Sequence, residues 1–509
     1  MNAPAHLAAA FADPDQPEDR DALARWIACV PMEDPASAHA EFGQARARLN
    51  PSQVAGPERL AMLELLRGPV MRTQACIAPV YCGAPLPYPD VIASAWSATV
   101  DLWQHLATGY QICARGWLER ERGMDAHGVV SLARACEAIV ATMFEYARAY
   151  RGVDPGLWKR LNRLYAIAES KGVADASTPD QASCANLYAR AALLHVAQPG
   201  SLPPRTLEAL WHLLARVAST CSLHPAVPAP AFIPLLAVNL AGNGAPGLAR
   251  NVPAGPSTAY LDTRRLGQTL RAIGTSLRGG AHPDSTGFGP DIGRREARRL
   301  ATHLHVQWCS AGSGRGDPRR TTGRRTLVSL SIPAMHEHLW RNAAGGQAIA
   351  LIAGEGSGAA QAWDVVNESA SGVLGLCRQP GTGTAIVHDQ LFAACSPCGQ
   401  GIEIATVERL RIEMNGSLSV GMRRLPGPPV AVAVRYVTDA DPPPPYEPAI
   451  LLPADTKKGI PETLLLEPGW FSEGVSLALR RDGSTRIVFE SLFASGPNYE
   501  RVTFRTAID

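Results

Sequence analysis

Residues 363–377 read WDVVNESASGVLGLC. Two short apolar stretches flank a polar interval that carries Asn367, Ser369 and Gly372, the texture of two strands joined by a turn. Downstream, residues 385–394, 401–413, 417–425 and 429–437 repeat that texture, β-branched and separated by glycines or prolines, and 327–340 reads the same way. Asn415 and Gly416 form a two-residue hairpin signal, because both residues tolerate positive φ. Short antiparallel strands at this spacing predict a barrel.

Upstream of the hairpin, residues 315–325 read RGDPRRTTGRR. Arg320 and Arg324 stand four apart on a segment just before the first strand, where two guanidinium forks can close over an anion or stack on a purine. Asn367 and Ser369, at i and i+2 on a strand end, point to one side and offer an amide and a hydroxyl. Gly372, three residues on, gives a sharp turn and leaves room for a ligand.

In this order, R-x-x-x-R followed by N-x-S-x-x-G resembles the signature of the PilZ family, and the resemblance covers residues 315–437. It implies a small antiparallel β-barrel that binds the second messenger cyclic di-GMP, with arginines matched to phosphate and to the Hoogsteen edge of guanine. The ligand-binding residues it implies are Arg320, Arg324, Asn367, Ser369 and Gly372. Arg319 joins them because Arg315 and Arg319 share the spacing of Arg320 and Arg324, which leaves the register open. The long interval from Arg324 to Asn367 reads as a glycine-rich insertion near 345–358.

The front of the chain has a different period. Between 57 and 217, apolar residues recur every three or four positions: Leu60, Leu63, Leu66 and Val70, then Trp96, Val100, Trp103, Leu106 and Tyr110, then Leu132, Cys136, Ile139, Met143 and Tyr146. The expectation is helices over 58–71, 89–120, 129–150, 157–168, 182–195 and 206–220, with Gly68-Pro69 kinking or ending the first. No fixed repeat period is present, so a helical bundle or an array of helix pairs fits better than a tetratricopeptide solenoid. Trp96, Trp103, Trp117, Trp158 and Trp211 share stripes with leucines and read as packing residues rather than as the lining of a groove.

Residues 225–290 are dense in proline and glycine and mark the expected domain junction, although 261–277 reads as a helix. Residues 292–308 form an amphipathic helix with Arg294, Arg295, Arg298 and Arg299 on its outer side. The stretch 439–448, DADPPPPYEP, reads as a stiff linker to a few last strands.

The 509 residues carry a formal net charge of +2, and nearly all positive charge is arginine. That balance disfavours a nucleic-acid coat, although a DNA contact through 264–325 is a weaker third reading. The N-terminus lacks a basic start and the apolar run at 229–241 is too short and proline-punctuated for a membrane span, so a cytoplasmic protein is expected. Eleven cysteines without framework spacing suit a reducing compartment. Cys395 and Cys398, the GEGSG of 354–358, and His336 with His338 are each better read as ordinary structure than as a thiol pair, a phosphate loop or metal ligands. No Ser-His-Asp order assembles, so no catalysis, cofactor or metal is expected.

The resulting architecture is multidomain α plus β: an irregular segment at 1–56, a helical domain at 57–290, a PilZ-like antiparallel β-barrel at 291–438 with the arginine-rich helix before it, and a small β tail at 446–509. The expected function is a non-enzymatic cyclic di-GMP receptor whose helical domain meets a protein partner. The alternative is a scaffold whose barrel has lost the ligand.

Overall fold

The computed structural model describes residues 20–52, 54, 56–119, 126–178, 180–227, 236–310, 318–343, 361–379, 385–395, 402–481 and 483–507. It divides into two compact units, residues 1–84 with 88–314, and residues 85–87 with 315–509. Arg315, Cys398, the glycine-rich 345–358 and the loop at 354–358 lie outside the described residues.

Among its described residues the first unit starts with helices where an irregular segment was expected: α1 (Arg20–Cys29) and α2 (Pro35–Leu49). The signal for the second was present in Asp34-Pro35. Asp34 caps the helix, accepting from Ala36 N at 3.2 Å and Ser37 N at 3.3 Å, and Pro35 sits in the first turn where no N–H is needed. Trp26 and Phe42 pack edge to face at 5.8 Å and bury in the main core.

Six long helices follow: α3 (Gly56–Tyr81), α4 (Asp90–Leu118), α5 (Ala126–Arg148), α6 (Pro155–Ser170), α7 (Cys184–Val196) and α8 (Pro204–Val217). Helix α3 runs through Pro69, where a kink or end was expected. A proline there removes one backbone bond, but Leu63, Leu66 and Val70 are fully buried on the same helix, and that apolar burial outweighs the lost bond. Residues 127–148 are long and apolar enough to cross a membrane by length and composition, yet 72% of that window is buried within the unit, as in a core helix.

The proline- and glycine-dense region holds a four-stranded antiparallel sheet of β1 (Ser222–His224), β2 (Leu236–Asn239), β3 (Gly247–Leu248) and β4 (Thr258–Asp262), in the order β1-β4-β2-β3. Helices α9 (Arg264–Arg278) and α10 (Arg294–Cys309) then pack Leu266, Leu270, Leu277, Leu300, Leu304 and Trp308 into one core with α7 and α8. The Trp308 indole donates to the Leu193 carbonyl at 3.0 Å. The arginine-rich helix therefore belongs to the first unit, and the boundary falls at 314 rather than at 290. Its apolar stripe, matched to α7 and α8, decides that. The outer arginines, Arg294, Arg295, Arg298 and Arg299, are exposed.

The second unit contains two closed barrels. The first joins β6 (Arg325–Ser329), β7 (Gln361–Glu368), β8 (Gly372–Cys377), β9 (Leu391–Cys395), β10 (Ile402–Ile412) and β11 (Leu418–Arg424), and the two-residue β5 (Arg320–Thr321) pairs with β7. Trp363 and Phe392 meet at 5.1 Å inside it. Gly375 lies against the Trp363 ring: a Cβ there would be 2.9 Å from the indole, so the large ring requires the missing side chain. Within 327–340, read as strand, β6 stops at Ser329 and helix α11 (Ile332–Ala343) follows. His336 stacks on Trp340 in that helix. At the β10–β11 hairpin only Gly416 takes a positive φ, 81°, while the Asn415 side chain accepts from Ser417 N at 3.1 Å.

The second barrel comprises β12 (Val430–Tyr436), β13 (Glu447–Leu452), β14 (Thr463–Leu466), β15 (Ser476–Arg480), β16 (Ser484–Gly496) and β17 (Tyr499–Thr506), closed by pairing of β12 with β15. What reads as a small β tail is thus a complete barrel, and it takes β12 from the first. The stretch 439–448 connects β12 to its own neighbour β13, so it is a loop within this barrel rather than an interdomain linker. Strand β12 went to this barrel because Val432 and Val434 fill an interior with Leu464, Leu477, Phe489 and Val502. Between the barrels, Ile332 and Met335 of α11 share a core with Leu391, Ile404, Ile450, Leu465 and Tyr499. Asn498 fastens the two, accepting from Leu391 N at 2.7 Å and donating to the carbonyls of Leu391 at 3.0 Å and Leu330 at 2.7 Å.

Candidate functional site

The two halves of the arginine and N-x-S-x-x-G pattern are hydrogen-bonded neighbours. In the β5–β7 pairing, Arg320 lies opposite Glu368 and Thr321 opposite Asn367. The contact is reinforced where Thr322 N donates to the Val366 carbonyl at 3.2 Å and Val365 N to the Arg324 carbonyl at 2.8 Å. A bulge in β7 between Val365 and Asn367 shifts its register against β8 at the motif, as bulges do where a side chain must be re-aimed.

Each predicted residue has a definite place. Arg319 donates through Nη1 to Asn367 Oδ1 at 2.7 Å. Arg320 is exposed, and among the described residues its guanidinium has neither hydrogen bond nor ion pair. Arg324 donates through Nη2 to Glu368 Oε2 at 3.0 Å, with Glu403 4.0 Å away.

Ser369 is turned toward its own hairpin. Its N donates to the Gly372 carbonyl at 2.8 Å, and Gly372 N donates to its Oγ at 3.2 Å. The hydroxyl therefore fixes the turn, and that hydrogen bond accounts for a serine here without any ligand.

Gly372 has a different reason from the sharp turn expected of it. Its φ is not positive; instead, a Cβ would lie 2.9 Å from the Met422 carbonyl oxygen on β11. The close approach of two backbones, in the β8–β11 pairing of Gly372 with Arg423, excludes any side chain.

Three residues escaped the sequence reading. Arg424, at the end of β11, donates to Glu368 Oε2 at 2.9 Å, to Glu403 Oε2 at 3.0 Å, and through Nη1 to the Ser369 carbonyl oxygen. Glu368 occupies an unspecified position of the motif and yet joins Arg324 to Arg424. Burial pushes the Glu368 carboxyl up, but bonds from the two guanidiniums outweigh that and hold it below the usual glutamate range. Glu403 is the third. The Arg423-Arg424 pair closing a predicted strand was the available signal; nothing local marks the carboxylates.

The arrangement is an edge of the barrel bearing Arg319, Arg320, Arg324 and Arg424 around Asn367, with two carboxylates bridging two of the arginines. Guanidinium forks present paired donors to phosphate or to a guanine edge. Of the four, Arg320 is already uncommitted, and Arg324 becomes available only when it leaves Glu368.

Comparison with known families places both ends of the chain. Residues 21–229 match the model of the N-terminal domain of the cyclic-di-GMP receptor FimW, and residues 432–507 match that of the FimW C-terminal β-barrel domain. No curated protein matches the chain. The second match coincides with the barrel of β12–β17, and the barrel bearing the arginines lies between the two matched segments. With both matched segments being domains of one receptor, and together covering more than half of the chain, this protein belongs to the FimW family of PilZ-like cyclic-di-GMP receptors.

Proposed function

We propose that the chain binds cyclic di-GMP at the barrel edge formed by β5, the β7–β8 turn and the end of β11, with Arg320 and Arg324 as the principal contacts and Arg319 and Asn367 beside them. The observation that carries this reading is the β5–β7 pairing, which sets Arg319, Arg320 and Arg324 against Asn367 and Glu368. Three guanidiniums facing a ligand with two phosphodiester charges supply charge-assisted bonds of about 1.5–3 kcal/mol each. Ser369 and Gly372 shape the turn that presents Asn367 and bind the ligand only indirectly.

The consequence of binding runs through the chain itself. The second unit takes residues 85–87 and 315–509, so the arginines follow one of the places where the chain passes from one unit to the other. Binding a ligand there constrains one of the connections between the units, and the helical unit presents the surface for a protein partner. The free cysteines among the described residues favour a reducing compartment, and we place the receptor in the cytoplasm.

Equilibrium dialysis of the full chain against radiolabelled cyclic di-GMP, with cyclic di-AMP and GMP as competitors, tests the reading. Displacement by neither competitor supports a site that reads both the guanine edges and the paired phosphates. Absence of retained label supports the scaffold alternative, in which Glu368 and Glu403 keep Arg324 and Arg424 permanently occupied.

A further inference from the structure

The helical unit contains a cavity of about 160 Å³ where α3, α4, α5, α7 and α8 converge. Its walls include Trp103, Val140, Phe144, Leu187, Arg190 and Trp211. Phe144 and Trp211 stack at 4.1 Å and 8°, a rigid aromatic side to the space. A cavity of about 150 Å³ accommodates one benzene ring. This one therefore has room for a single ring with a short substituent and excludes a cyclic dinucleotide.

Its charges are unequally satisfied. Glu137 is bonded to Arg67 at 2.8 Å and to Arg134 at 2.9 Å. Glu145 accepts from the Tyr81 hydroxyl at 2.6 Å and from Arg148 at 2.8 Å, and Arg148 also reaches Glu208 at 2.7 Å. Arg190 differs. It donates to Asn186 Oδ1 at 2.8 Å and weakly to the Ala215 carbonyl at 3.5 Å, and among the described residues no carboxylate lies within ion-pair distance. Burial holds its guanidinium below the usual arginine range, against the more distant pull of Glu137. Two neutral groups of the lining are also unmatched: among the described residues the Trp103 indole N–H and the Gln74 side-chain carbonyl are buried without a partner. Half-burying a cation without a counter-ion is costly unless an anion completes it.

We propose that this cavity is a second ligand site, which takes a small aromatic carboxylate with its ring among Trp103, Phe144 and Trp211 and its carboxylate on Arg190. The ring replaces void with contact, and the carboxylate supplies the missing counter-charge. Glu137 is held by Arg67 and Arg134, and those two bonds weaken its repulsion of the incoming carboxylate. The site is separate from the barrel edge and needs no cyclic dinucleotide.

Phenylacetate and its neutral analogue 2-phenylethanol are the probes, titrated into the full chain with tryptophan fluorescence and calorimetry as readouts. Phenylacetate should bind at least tenfold more tightly than the alcohol. Arg190→Gln, which keeps the stem and the local bond to Asn186, should abolish that difference while leaving the weak alcohol affinity. Ala141→Phe should fill the cavity and remove binding of both, and circular dichroism checks that it folds. The proposal is overturned if phenylacetate shows no binding at about 10 mM, or if Arg190→Gln binds it as tightly as the wild type; the cavity is then a packing void.

Discussion

Arg324 and Glu368 are joined at 3.0 Å: the second arginine of the motif is held by the residue that separates Asn367 from Ser369. The carboxylate also accepts from Arg424 at 2.9 Å, so one glutamate closes the barrel edge and competes with any phosphate for the same guanidinium. An affinity for cyclic di-GMP is therefore a difference between two sets of charge-assisted bonds.

Glu368→Gln should tighten cyclic di-GMP binding by about three- to tenfold, since a neutral amide holds Arg324 less firmly than a carboxylate. The same carboxylate gives a pH signature. Its folded pKa lies below the ordinary value of 4.5, so its contribution to stability is present above that value and is lost as pH falls through the lowered one. Acid unfolding monitored by circular dichroism should show a smaller loss of stability on acidification in Glu368→Gln than in the wild type. Equal pH dependence in the two proteins would remove Glu368 from its bridging role.

Gly372→Val should destabilise the first barrel by about 1–3 kcal/mol, the usual range for overpacking, because a Cβ meets the Met422 carbonyl at 2.9 Å. Urea denaturation of the variant checks this. Ser369→Ala should lose less, one neutral hydrogen bond of about 1 kcal/mol. Cyclic di-GMP affinity should change little in Ser369→Ala, whose hydroxyl serves the turn, and an affinity loss as large as that from an arginine variant would show that it touches the ligand.

How much of this was legible follows from range. Helices α4 to α8 and the β7–β8 hairpin were readable because their signals are local: Trp96, Val100 and Leu106 repeat at helical period, and Asn367 to Gly372 is a turn in its own right. Arg320 and Asn367 could be paired only through a resemblance, since nothing in either stretch states that β5 lies beside β7. Arg424 and Glu403 come from strands further along and meet Glu368 only because the barrel closes. The same limit hid the second barrel. Strand β12 has a pattern that either barrel would accept, and only its pairing with β13 and β15 assigns it. Helix α10 is legible as a helix but its unit is not, because an apolar stripe does not name the surface it will cover.

Arg46 offers a test of the helical core. It is fully buried, and among the described residues its three side-chain nitrogens have no hydrogen-bond partner. Burial lowers its pKa to about 9, against the pull of Tyr110 and Glu64. A base whose folded pKa is depressed gains stability as pH rises through that value, so the wild type should become more stable above about pH 9. Arg46→Met should raise stability at pH 7 by about 1–4 kcal/mol and flatten that pH dependence. Thermal melts at pH 7 and pH 10 decide it, and a destabilised Arg46→Met would mean that the guanidinium is satisfied in solution.

The central claim, that cyclic di-GMP is held by the arginines aligned on the barrel edge, is tested most directly by calorimetric titration of the wild type and of the double variant Arg320→Ala, Arg324→Ala. The wild type should bind, and the double variant should lose about a hundredfold or more in affinity, two charge-assisted bonds at about 1.5–3 kcal/mol each, while circular dichroism shows its fold retained. Wild-type heats indistinguishable from dilution at high micromolar ligand, or a double variant that binds as tightly as the wild type, would contradict it.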